Sequence, residues 1–147
     1  MNKPDKIILH CSATEDSGTV SWNAIRRYHM ETKGWGAIGY HFGVELIGSP
    51  TWSSPGTPEI LMGRMPNEEG AHCKGQNDRS IGVCIVGNYD EKPPPVPIWG
   101  RTIVLVRWLM VEFDLAPKNV FGHRDFSDKT CPGQCFNLDK FRADLEM

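Results

Sequence analysis

Five short apolar runs, at residues 6–10, 39–46, 59–62, 80–86 and 120–123, are all of strand length, and amphipathic helical patterns lie between them. That alternation leaves few architectures open. The first helix is predicted over 21–33, where Trp22, Ile25, Tyr28 and His29 recur at spacings of three and four, with Ser21 as N-cap and Gly34 as the stop. A second runs from about 97 to 113, carries Ile98, Trp99, Ile103, Val106, Met110 and Phe113, and has Pro97 where a first turn tolerates one. A shorter one closes the chain from about 138 to 145. Strands interleaved with helices predict an α/β fold, a single domain built on a central mixed β-sheet flanked by helices. At 147 residues the chain buries a core of ordinary size but leaves no room for a second module.

Two loops interrupt the pattern. Residues 48–58 are rich in turn formers and read as an enlarged hairpin tip exposing Trp52, whereas the prolines of 90–97 read as a stiff connector into the long helix. A net charge of -2, with neither a basic stripe nor an acidic tail, makes nucleic acid a poor partner. No run approaches the ~20 apolar residues of a membrane span, and the start of the chain lacks a signal-peptide core, so synthesis in the cytoplasm without membrane insertion is expected. The odd set Cys11, Cys73, Cys84, Cys131 and Cys135 then reads as free thiols rather than a disulfide framework. Cys84, within an apolar run, is expected to be buried, and Cys11 and Cys73 to pack.

Chemistry concentrates near the C-terminus. His10 ends the first strand, His123 the last, and Cys131 follows in a loop that can fold back on His123. Two imidazoles and one thiolate are zinc ligands that leave a fourth position for water. The same residues admit another reading, in which Cys131 is a nucleophile activated by His123 with Asp125 orienting the imidazole. That reading leaves His10 and Lys129 without a role.

Five motifs occur in one order: HCSAT at 10–14, GYHF at 39–42, AHCKG at 71–75, SIGVCIVG at 80–87 and KTCPG at 129–133. Together they resemble the zinc-dependent N-acetylmuramoyl-L-alanine amidases, the family of short phage endolysins, bacterial muropeptide amidases and peptidoglycan recognition proteins, over about residues 6–142. The resemblance implies that His10, His123 and Cys131 hold Zn2+, that Tyr40 and Lys129 are catalytic, and that His72 lines the substrate cleft. It also implies a single catalytic domain over 1–147 with no separate wall-binding domain, hydrolysing the amide between N-acetylmuramic acid and L-alanine in peptidoglycan.

Among members of that family, the HCSAT opening is most similar to the phage enzymes, which act on the cell wall after holin-type release. A cytosolic enzyme of muropeptide recycling and a non-hydrolytic peptidoglycan binder are the alternatives, and the presence of Cys131 favours an enzyme over a binder. A monomer is expected. His41 should face away from Tyr40 along its strand, and His29 should be structural. The Trp52 loop is longer than in small endolysins of this type, and Cys135 is an additional thiol for which packing is the expected role.

Overall fold

The computed structural model describes residues 3–13, 21–48 and 56–147. Its five strands, β1 (Lys6–Cys11), β2 (Phe42–Ile47), β3 (Thr57–Met62), β4 (Ser80–Ile85) and β5 (Val120–Gly122), form one sheet in the order β3-β2-β4-β1-β5. The three helices are α1 (Trp22–Arg27), α2 (Val96–Phe113) and α3 (Leu138–Leu145). β1 runs parallel to both of its neighbours, β4 and β5, and β2 runs parallel to β4 but antiparallel to β3. The expected mixed α/β sheet is thus present. The hairpin tip carrying Trp52 lies outside the described residues.

Alternation along the strands divides the sheet into two unlike faces. Ile7 and Leu9 of β1, Ile81 and Val83 of β4 and Val44 of β2 point to the face covered by α2 and α3. There they meet Ile98, Val106, Leu109 and Phe141, all essentially without exposure. Complete burial of each such side chain contributes roughly 1.5–3 kcal/mol. The ends of the two helices are fastened by Arg107, which donates to the carbonyls of Asp144 and Met147 at 2.7 and 2.8 Å. Trp99 adds a bond from its indole N–H to the Asp144 carboxylate at 2.8 Å.

The opposite face is thinner. Trp22 of α1 packs with Ile38 and Cys84, and Glu45, buried on β2, accepts the Trp22 backbone N–H at 2.6 Å. That bond ties the start of the helix to the sheet. Ser21 caps α1 as expected, accepting from the Ala24 N–H at 3.4 Å, but the predicted continuous helix loosens into a π-helical turn over Tyr28–Thr32 before Gly34, at φ 72°, turns the chain.

The predicted strand at 39–46 is also shortened. Residues 39–41 still bond on both sides, His41 N–H to Gly82 O and Gly63 N–H to His41 O, yet they bend out of the ladder. The chain passes close to residue 71 here, so that a Cβ on Gly39 would lie 2.3 Å from the Ala71 carbonyl oxygen and only glycine fits. α2 ends on Asp114 in the left-handed region, at φ 56°.

Room for Trp22 comes from Gly43, where a Cβ would stand 2.4 Å from two carbons of the indole. We expect Gly43→Ala to destabilise the protein by about 1–3 kcal/mol through overpacking. Urea unfolding would measure it, and an unchanged midpoint would contradict this packing.

Candidate active site

Parallel pairing brings the ends of β1 and β5 side by side. With Leu9 opposite Gly122, His10 and His123 emerge next to each other, their ring centroids 4.6 Å apart. Cys131 closes the group, since its sulfur accepts the Cys11 backbone N–H at 3.2 Å and its carbonyl accepts the Arg124 N–H at 2.7 Å. One ligand atom from each of His10, His123 and Cys131 lies within 4.8 Å of the other two. His10 is buried, while His123 and Cys131 are half-buried.

The third side of the loop is held by a residue that the sequence assigned only to a connector. The Asp90 carboxylate accepts the Gln134 N–H at 2.8 Å and the Thr130 hydroxyl at 3.1 Å, and the neighbouring Tyr89 carbonyl accepts the Cys135 N–H at 2.7 Å. Cys131 is therefore gripped between β1 and the segment after β4. Cys135 turns away and donates its thiol to the Asp90 carbonyl at 3.4 Å, in line with packing. No signal in the letters around Asp90 pointed to this contact.

Behind the ligands stands a layer of aromatic rings. Tyr40 lies 5.1 Å from His10 by centroids and packs near Trp22 and His29. Burial pushes its phenol well above the ordinary range, so it remains a neutral donor at physiological pH. Lys129 is exposed at the rim, and burial, helped by its charge, lowers both His10 and His123. His29 is structural, accepting the Gly39 N–H on Nδ1 at 3.0 Å.

His72 is 9% exposed and borders a surface hollow with Trp35, Lys74 and Asn77, while its Nδ1 lies 2.9 Å from His10 Nε2 and its Nε2 3.3 Å from the Ser80 hydroxyl. Both ring nitrogens are engaged within the protein, which leaves neither for a substrate. His41 is likewise enclosed, its Nδ1 accepting from the Gly82 N–H at 3.0 Å and its Nε2 2.7 Å from the Glu68 carbonyl. The strand alternation expected for 40 and 41 gives way to the bend at this point.

Geometry bears on the two chemical readings of Cys131, because a nucleophile activated by His123 needs a third residue to orient the imidazole. Asp125, the proposed orienter of His123, instead accepts the Gly122 N–H at 3.0 Å and lies 4.0 Å from Arg142. The nucleophile reading loses its third member. Two imidazoles with one sulfur match the donor set of zinc. Since His10 Nε2 faces His72, Nδ1 is the atom left for a metal.

A family profile described as N-acetylmuramoyl-L-alanine amidase matches residues 1–134. The chain belongs to this amidase family. Similar relatives include the endolysin of Escherichia phage T7, 34% identical over 143 residues that cover 93% of this chain and 84% of that protein. Human peptidoglycan recognition protein 3 is 32% identical over 91% of this chain but only 38% of its own length. Among solved structures, the N-acetylmuramoyl-L-alanine amidase LysC from Clostridium intestinale URNW superposes with a TM-score of 0.80 at 27% identity, covering 99% of this chain and 87% of that one. The amidase fold expected from the five motifs is therefore present. No described helix of this amidase-family chain is long and apolar enough to cross a membrane.

Three buried histidines besides the ligands make the fold sensitive to acid. Burial lowers His29 and His41, and lowers His72 to about 3. Below about pH 6.5 the unfolded chain takes up protons that the folded chain refuses. Their contribution is thus intact above that pH and declines as acidification proceeds, by up to about 1.4 kcal/mol per pH unit for each histidine until its own lowered pKa is reached, about 3 for His72. Urea midpoints of the metal-free protein should drop between pH 7 and pH 5; a constant midpoint over that window would contradict neutral burial.

Proposed function

We propose that the protein is a zinc-dependent N-acetylmuramoyl-L-alanine amidase that cuts the amide between the lactyl group of N-acetylmuramic acid and L-alanine, and that it serves as a phage endolysin. The observation that carries the reading is the convergence of His10, His123 and Cys131 beside Tyr40 and Lys129 in a chain of this family. Similarity to the phage T7 endolysin over most of both chains supports the endolysin role. A muropeptide-recycling role has no comparable observation in its favour.

When bound, zinc supplies a water whose pKa falls to about 7 and a Lewis acid for the scissile carbonyl. His10 and His123 serve as neutral imidazole ligands, a state that burial already favours for both. Cys131 contributes the anionic sulfur, steadied by the Cys11 N–H. At the rim, the Lys129 ammonium is free to stabilise the oxyanion that develops as the amide carbon becomes tetrahedral. The Tyr40 phenol, held neutral, acts as a hydrogen-bond donor toward the same charge rather than as a base.

Purified protein incubated with intact sacculi should release stem peptides bearing a free L-alanine amino terminus, identified by mass spectrometry. Activity on soluble muropeptides alone would replace the endolysin role with recycling. Cys131→Ser is expected to lose both zinc and turnover. Full activity of the metal-free enzyme, lost only on thiol alkylation, would overturn the zinc reading. Lys129→Ala should retain zinc while kcat falls roughly 10²-fold or more; an unchanged kcat would remove it from the catalytic set.

A further inference from the structure

The ring of His72 sits in a notch cut by two glycines. A Cβ on Gly82 would lie 2.5 Å from its Cγ and Cδ2, and one on Gly70 would lie 2.6 Å from its Cδ2. Its backbone is fixed as well, because the Asn77 side-chain oxygen accepts the N–H groups of both His72 and Cys73, at 2.8 and 2.9 Å. A side chain so confined cannot reorient toward a ligand.

The direction of the hydrogen bonds around it follows from one fixed end. The Ser80 hydroxyl donates to the Gln76 carbonyl at 2.7 Å, and a carbonyl can only accept. The single hydroxyl proton is thereby used, and the same oxygen, 3.3 Å from His72 Nε2, must accept there. A neutral imidazole has one N–H, so His72 carries it on Nε2 and presents a lone pair at Nδ1. His10 Nε2, 2.9 Å away, is then the donor, and the lone pair of His10 falls on Nδ1, the nitrogen left for a metal shared with His123 and Cys131.

We infer that His72 is a positioning residue for the metal, and that the line Gln76 carbonyl, Ser80 hydroxyl, His72 imidazole fixes the tautomer and tilt of His10 for coordination through Nδ1. This rests on the zinc reading above. A ligating histidine held by an acceptor on its other nitrogen is oriented before the ion arrives, and loss of such an acceptor commonly weakens metal affinity roughly 10–100-fold. The acceptor here is another imidazole, itself polarised by a serine, in place of the carboxylate or carbonyl that usually serves.

Zinc affinity of the full-length protein, measured at neutral pH by competition with a chromophoric chelator, tests the inference with His72→Leu and His72→Asn. The leucine variant removes the acceptor and should bind zinc roughly 10–100-fold more weakly. The asparagine variant, whose Oδ1 can take the place of Nδ1, should recover most of that loss, which a purely space-filling role would not produce. Nitrogen-15 NMR of the unaltered zinc-free protein adds a readout that needs no substitution, and should find the His10 proton on Nε2.

A folded leucine variant with unchanged affinity, an asparagine variant no better than leucine, or a His10 proton on Nδ1 would overturn the inference. Should the leucine variant fail to fold, the asparagine variant and the NMR tautomer still decide it. Unaltered protein that binds no zinc would overturn the metal reading as well, whereas zinc-binding protein indifferent to His72 overturns this inference alone.

Discussion

Parallel pairing of β1 with β4 on one side and β5 on the other is the constraint from which the site follows. Every residue of β1 has a partner in β4, from Lys6 opposite Ser80 to Cys11 opposite Ile85, and residues Ile7–Leu9 are paired with β5 as well. A strand held on both sides cannot slip, because a one-residue shift would turn Ile7 and Leu9 out of the main core and His10 into it. Register thus decides at once where the aliphatic core lies and which way the imidazole points. Since β1, β4 and β5 run the same way, their C-terminal ends open on one edge, where the chain from each can bend toward the others.

The two faces of the sheet divide the work unequally. One is filled by branched aliphatic side chains against α2 and α3 and supplies most of the apolar burial. The other gives up volume at Gly43 and Gly82 so that an indole and an imidazole lie directly on the strands. Glycine within a strand weakens it, so such positions mark close approach of something bulky. The imidazole admitted in this way is titratable, and burial keeps it uncharged. Polar groups placed so deep need partners, and among the described residues no buried side-chain polar atom lacks one.

Much of this was legible in the sequence because periodicity reports burial directly. The five strands and three helices fall close to their predicted positions, and His10 and His123 stand at strand ends as read. Where the reading fell short, the cause was contacts between segments distant along the chain. Gly39 lies against the Ala71 carbonyl where the strand pattern breaks, and the grip on the Cys131 loop comes from Asp90 in a segment that looked like a mere spacer. His72 was expected to line a cleft on the strength of the family resemblance. Only the notch formed by Gly70 and Gly82 reveals that the ring folds inward, and no local pattern announces that a glycine is small for the sake of another segment.

Exposure grades across the site in a way that bears on how it would meet a substrate. His10 is enclosed by protein, His123 and Cys131 are partly open, and Lys129 stands in solvent at the rim. A cation placed there is weakly coupled to its surroundings until a substrate displaces the intervening water, after which its field acts in a medium of lower dielectric. If Lys129 has the proposed catalytic role, its stabilisation would then grow as substrate docks, and would be small for a fragment too short to cover the rim. On the inference drawn above, the orientation of the enclosed His10 is instead set by Ser80 and the notch around His72. Substrate contact and metal coordination would then be governed separately, the first at the surface and the second by the sheet.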